Sequence, residues 1–210
     1  IQFRLETKVS AMEGNGQVKE VQLENGETLA ADLVLMGIGV DPATDFVQGL
    51  EKKENGGIPV DAHLYAGKDV YAAGDIAHFP YKGNEVRIEH WRLACQHGRL
   101  AGENMAGKKK AYESVPFFWT AQHGVQIRYV GYAKDYDRII VDGTISERRF
   151  IAYYIKDGMV KAALGIQRDR EMAALNELIR MDRVPSVKDL EKHQVSLTEH
   201  LRQLSTARHP

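Results

Sequence analysis

One cysteine, Cys95, stands in 210 residues, so an internal disulfide, a C-x-x-C redox pair and a multi-cysteine zinc site are all excluded. Any redox chemistry must therefore come from a bound cofactor. No window approaches the roughly 18 consecutive apolar residues of a membrane-spanning helix, and the opening IQFRLETKVS carries charge where a signal peptide is apolar. A charge excess is also missing. The 28 Lys and Arg against 29 Asp and Glu leave a formal charge of −1, which argues against an electrostatic nucleic-acid or membrane binder. The eight histidines form no H-E-x-x-H motif, and His90 and His97, two helical turns apart, have no carboxylate at a matching ligand position between them. No metal site is expected, and without G-x-S-x-G no serine nucleophile. What remains is an ordinary globular composition, 43% hydrophobic and 27% charged, and the expectation is a soluble, cytoplasmic protein. The start at Ile1 without an initiator Met, inside what reads as a sheet, suggests a fragment.

The hydrophobic pattern supplies the elements. Residues 2–10 and 18–23 alternate apolar and polar side chains around Gly14-Asn15-Gly16 and read as a hairpin, with a second turn at Asn25-Gly26. ADLVLMGIGV, residues 31–40, is a continuous apolar run that fits a strand buried on both faces and stopped by Pro42. Residues 43–50 read as a short helix, Gly56-Gly57 opens the brief strand IPVD, and KDVYAAGDIAHFP is a short strand broken at Gly74-Asp75. From Glu89 to Met105 the period becomes helical, with Trp91, Leu93, Ala94, Ala101 and Met105 as a mixed apolar face, Cys95 as a small buried residue and Gly107 as the stop.

Beyond a boundary near residues 112–116 the segments IRYVGYA, RIIVDGT, RRFIAYYI and VKAALGIQR are divided by turn signals at Lys134-Asp135, Asp142-Gly143 and Asp157-Gly158. They predict an antiparallel meander. Asp169 is placed as the N-cap of an amphipathic helix carrying Met172, Leu175, Leu178 and Ile179. Residues 186–205 read as one or two short polar helices, followed by a frayed end.

Chemistry concentrates at Val70-Tyr71-Ala72-Ala73-Gly74-Asp75. Small residues at a strand end let a ligand approach the backbone, and a carboxylate there can accept hydrogen bonds from sugar-like hydroxyls. The motif alone is equally a strand followed by a Gly-Asp turn. Context adds G-I-G-V-D-P, then G-I-P-V-D, then V-Y-A-A-G-D, then R-I-E-H-W, in this order and at short spacings. This ordered set resembles the pyridine-nucleotide-dependent flavoprotein reductases, in the branch of ferredoxin and rubredoxin reductases and apoptosis-inducing factors, and most closely the apoptosis-inducing factor 3-like members.

The resemblance implies that Gly74 and Asp75 meet the ribityl chain of FAD. Glu89, His90 and Trp91 would then lie beside the isoalloxazine at a helix start, where unpaired N–H groups and the positive end of the helix dipole suit negative charge developing on the ring. It implies Glu89 as a holder of the nicotinamide carboxamide. Trp91 reads either as a wall near the ring or as a core tryptophan. Phe118 and Trp119, in Pro116-Phe117-Phe118-Trp119, read either as cover for the exposed flavin face or as a strand that buries its rings. The Asp-Gln typical of the family after that Trp is replaced by Thr120-Ala121-Gln122-His123.

Neither G-x-G-x-x-G loop that such a reductase needs, one for FAD and one for NAD(P)H, occurs in these residues. The expected fold class is therefore α/β plus α+β, the remnant of a two-dinucleotide-domain flavoprotein reductase followed by an antiparallel sheet with helices. Residues 1–33 would end the NAD(P)H-binding domain, 34–111 would return to the FAD domain, and 112–210 would form the C-terminal reductase (interface) domain. The implied function is electron transfer from NAD(P)H through FAD to an iron-sulfur protein or Rieske-type domain, with the 210 residues inactive alone and no single acid–base catalytic residue. The competing reading is a noncatalytic module for homodimer or partner contact, with Tyr129, Tyr132, Tyr153 and Tyr154 as an aromatic patch unless they pack beneath helix 169–182.

Overall fold

The computed structural model of the protein describes residues 1–193 and 195–206. The chain divides into two compact units, Ile1–Asp41 and Pro42–Pro210. The first is a three-stranded antiparallel sheet in which β1 (Val9–Gly14) pairs with β2 (Val18–Leu23) and β2 with β3 (Thr28–Ala30). The turns are those expected: Gly16 and Gly26 have positive φ, and Asn25 Oδ1 accepts the Glu27 amide at 2.9 Å. The first strand begins at Val9, later than the alternation from residue 2 suggested.

The apolar run 31–40 departs from expectation. It lies in no strand and no sheet, and Leu33, Leu35 and Ile38 are exposed. A strand buried on both faces needs a sheet neighbour and covering layers, and no described strand pairs with this segment. Residues 43–50, expected as a short helix, are likewise turns and bends.

The second unit has two cores. One gathers around β4 (Ile58–Pro59), the β5–β6 hairpin (Tyr65–Gly67 and Val70–Tyr71), β7 (Ala77–Tyr81), β8 (Asn84–Val86) and α1 (Trp91–Met105). β4 runs parallel to β7, and β7 antiparallel to β8. The strand entering Ala72-Ala73-Gly74-Asp75 is only the two-residue β6, and Gly74–Ile76 form a single 3-10 turn before β7. The buried stripe of α1 is Leu93, His97, Ala101 and Asn104. That spacing of three and four is the helical repeat; Trp91 and Met105, expected on the apolar face, point outward, and Cys95 is exposed rather than buried. Gly107, at φ +89°, follows the helix as foreseen.

The other core lies between a five-stranded antiparallel sheet and α2 (Asp169–Arg180), with α3 (Val187–Glu191) and α4 (Leu197–Thr206) alongside. The strands are β9 (Phe117–Gln122), β10 (Val125–Gly131), β11 (Arg138–Thr144), β12 (Arg149–Lys156) and β13 (Met159–Ile166). Their order is β11-β12-β13-β10-β9 rather than a simple meander. A two-residue turn at His123-Gly124, both at positive φ, folds β9 onto one edge of β10. The other edge of β10 goes to β13, so β11 is carried to the far side. Asp142-Gly143, read as a turn, lies inside β11, and the chain reverses at 145–148.

Alternation along β12 sends Ile151, Tyr153 and Ile155 toward α2, where Met172, Leu175 and Leu178 are fully buried. Each such side chain contributes roughly 1.5–3 kcal/mol of burial. Gly165 admits the helix, since a Cβ there would stand 2.5 Å from Met172 Cγ. Asp169 is the first residue of α2 rather than its cap, and its carboxylate pairs with Arg128 at 2.6 Å. The frayed end expected after residue 205 falls, beyond Thr206, outside the described residues.

Candidate functional site

All seven residues singled out in the sequence lie in the second unit, and its fold brings them to one region. Gly74 sits at φ +75°, a conformation that side chains with a Cβ adopt at a cost, and a Cβ there would come 3.0 Å from Ala94 Cβ on α1. The helix can thus lie directly on the turn. Asp75 is exposed, and its carboxylate makes no hydrogen bond or ion pair among the described residues. Its carbonyl oxygen instead accepts from Arg87 Nη1 at 3.0 Å, while Arg87 Nη2 pairs with Glu89 at 2.7 Å. Arg87, which the sequence reading passed over, ties the Asp75 turn to the residue entering α1.

α1 starts at Trp91, with His90 as N-cap: the Arg92 amide donates to His90 Nδ1 at 3.2 Å. A cap that accepts must be an unprotonated nitrogen, and a positive ring would oppose the helix dipole. Burial holds the His90 imidazole below its ordinary range, the Arg92 charge adds to this, and Asp75 opposes it. A neutral His90 therefore caps the helix, and the Trp91 and Leu93 amides of the first turn keep no intrahelical acceptor.

The rings gather at this helix start. His90 stacks on Trp91 with centroids 5.8 Å apart and touches Phe118 at 4.7 Å; Trp119 lies 5.6 Å from Trp91 and 6.1 Å from His90. β9 is held there by Arg92, whose guanidinium carbon lies 4.9 Å above the Phe117 ring. Trp91 is 64% and Trp119 44% exposed. Neither is a core tryptophan. Phe118 faces the opposite side of β9 from Trp119, half-buried against Tyr129 at 6.0 Å.

The tyrosines considered as an association patch divide. Tyr153 is in the core beneath α2, whereas Tyr129, Tyr132 and Tyr154 are half-buried. A cleft of about 1180 Å³ between the β7–β8 hairpin and the β12–β13 turn includes Arg87 but none of the seven residues. The candidate site is an open aromatic surface instead, bounded by a carboxylate on one side and a helix start on another. Among the described residues no group of three or more His, Cys, Asp or Glu could hold a metal ion, and no helix is long and apolar enough to cross a membrane.

An unpartnered carboxylate, unsatisfied helix amides and exposed planar rings together suit a ligand that carries hydroxyls at one end and a flat ring at the other. Residues 1–98 match the family described as pyridine nucleotide-disulphide oxidoreductase, and residues 117–201 match the reductase C-terminal family. Apoptosis-inducing factor 3 of Homo sapiens is 33% identical over 198 residues, which cover 91% of this chain and 33% of that protein. Putidaredoxin reductase of Pseudomonas putida is 31% identical over 172 residues, 80% of this chain and 40% of that one. Among solved structures, the covalent putidaredoxin reductase–putidaredoxin complex aligns with a TM-score of 0.81 at 30% identity, over 97% of this chain and 50% of that one. The chain spans between a third and a half of the length of these relatives.

Proposed function

Because this chain belongs to the pyridine nucleotide-disulphide oxidoreductases through residues 1–98 and to the reductase C-terminal family through residues 117–201, we propose that it forms part of an FAD-dependent NAD(P)H oxidoreductase that delivers electrons to an iron-sulfur protein. Residues 1–33 would close the nucleotide domain, 34–111 return to the flavin domain and 112–210 form the C-terminal domain. The reading rests on one observation above all, the meeting of the Gly74-Asp75 turn, the His90-capped helix start and the Trp119 strand on one exposed surface.

These residues fit FAD. The Asp75 carboxylate would accept hydrogen bonds from ribityl hydroxyls, and Gly74, whose absent Cβ would meet Ala94, lets α1 lie directly against that turn. The first turn of α1 would present its amides and its positive dipole end to the electron-rich edge of the ring. When bound there, FAD would supply the hydride-accepting and electron-passing chemistry. The protein's part is orientation and exclusion of water: Trp91 and Trp119 offer flat apolar surfaces, and neutral His90 keeps the helix start intact without placing a competing cation beside it. Glu89, paired with Arg87, would meet the nicotinamide carboxamide. The acceptor would be a ferredoxin-type protein or a Rieske-type domain, approaching the side lined by Trp119.

The two tryptophans separate the half-reactions. In the intact protein, Trp91→Phe is expected to change the rate of flavin reduction by NAD(P)H, and Trp119→Phe the rate of reoxidation by the acceptor, each by about threefold to tenfold with the fold retained. Stopped-flow absorbance of each half-reaction tests this. Variants that alter neither rate would remove both rings from the mechanism.

A further inference from the structure

The face of α1 that packs beneath the site carries a polar residue where an apolar one would be expected. His97 is 0% exposed. Its Nδ1 accepts the Gly74 amide at 3.4 Å, so the ring's single proton sits on Nε2, which is buried with no hydrogen-bond partner among the described residues. Phe79 and Tyr112 flank the ring edge-to-face at 4.6 and 4.5 Å. Tyr112 is itself fixed, its hydroxyl donating to Gln96 Oε1 at 3.1 Å and its amide to the Ala62 carbonyl at 2.7 Å. A leucine would bury similar volume and remove the unpartnered Nε2–H, but it would leave the buried Gly74 N–H without an acceptor in its place. What the imidazole supplies and leucine cannot is an acceptor for the Gly74 amide.

We propose that His97 is a positioning residue for the Asp75 turn: by accepting the Gly74 N–H it fixes the backbone that aims the Asp75 carboxylate at its ligand. The inference rests on the assignment of that carboxylate to FAD made above. α1 then holds the turn at two points, Ala94 by contact and His97 by a hydrogen bond, so one helix sets both the ribityl end and the ring end of the site. Burial pushes the His97 imidazole down to about 4, and the ring stays a neutral acceptor across the neutral range. The hydrogen bond is at the long end of the usual range, but the Gly74 amide is buried and would otherwise go unsatisfied.

Two substitutions in the intact protein separate positioning from packing. Asparagine places Oδ1 where Nδ1 lies but gives up the ring contacts; leucine keeps the volume but has no acceptor. His97→Asn is expected to hold FAD within about threefold of wild type despite the greater loss of thermal stability, and His97→Leu to bind FAD about tenfold more weakly despite the smaller loss, the scale of one unsatisfied buried donor. Flavin affinity that instead follows thermal stability, leucine above asparagine, would overturn the proposal. Should either variant fail to fold, hydrogen exchange of the Gly74 amide in the wild-type apoprotein decides: protection is expected, and exchange at the rate of an open amide would overturn it. Asp75→Ala, run in parallel, tells the two assignments apart. Weakened FAD binding in Asp75→Ala with the reversed His97 order defeats the His97 role alone, whereas unchanged binding in Asp75→Ala defeats the FAD assignment and the His97 role with it.

Discussion

Asp75→Ala in the intact protein is expected to weaken FAD binding by roughly tenfold to a hundredfold while leaving thermal stability unchanged. The reason is visible in what the side chain does not do. Its carboxylate is exposed and holds no partner among the described residues, so the folded chain loses no internal contact when it is removed. The turn keeps its other supports, because Arg87 binds the Asp75 carbonyl and His97 accepts the Gly74 amide, both through the backbone. Against the ligand the loss is of charge-assisted hydrogen bonds, about 1.5–3 kcal/mol. Asp75→Asn, which retains an acceptor oxygen without the charge, should fall between the two. Flavin titration beside a melting curve tests the set. An alanine variant with wild-type FAD affinity would show that the carboxylate is not a ligand.

The second large effect concerns the 210 residues expressed by themselves, which are expected to be colourless and to oxidise no NAD(P)H. Neither glycine-rich phosphate loop lies in this sequence, and the backbone donors such loops direct at a pyrophosphate have no substitute in the aromatic surface described above. The structure adds a second reason. Leu33, Leu35 and Ile38 are exposed to 86%, 96% and 87%, in a segment whose apolar run suits a sheet interior but which no described strand pairs with. Absorbance near the flavin bands and a diaphorase assay measure the outcome, and stoichiometric FAD on the isolated chain would contradict it.

The sequence was most legible where local chemistry decides. The Gly14-Asn15-Gly16 and Asn25-Gly26 turns, the α1 stop at Gly107 and the Asp157-Gly158 hairpin all depend on positive φ within a few residues, and all are found. Pairing was less legible. Nothing near Val125 announces that β10, with β9 on one edge through the His123-Gly124 turn, takes β13 rather than β11 on the other. The run 31–40 shows the limit of hydrophobicity as evidence: ten mostly apolar residues specify what a strand needs around it, not that the need is met within these residues. At the site, Gly74, Asp75, His90, Trp91 and Trp119 were readable from their order along the chain. Arg87 and His97 were not, since each acts across the fold on a backbone atom of the same turn. One signal for His97 was available, a histidine at helical spacing from Leu93 and Ala101 on a stripe whose other polar member is Asn104.

The central claim is that the Asp75 turn, the start of α1 and the Trp119 strand together form one wall of a flavin site. Its most direct test is tryptophan fluorescence during FAD titration of the intact apoprotein, with the contributions of Trp91 and Trp119 taken as differences from the Trp91→Phe and Trp119→Phe variants. Both indoles lie within 6.1 Å of the His90 ring at the helix start, so a flavin seated on that surface is predicted to quench most of the emission of each at one equivalent of FAD. Stoichiometric FAD binding that leaves both indoles emitting as in the apoprotein would contradict the account.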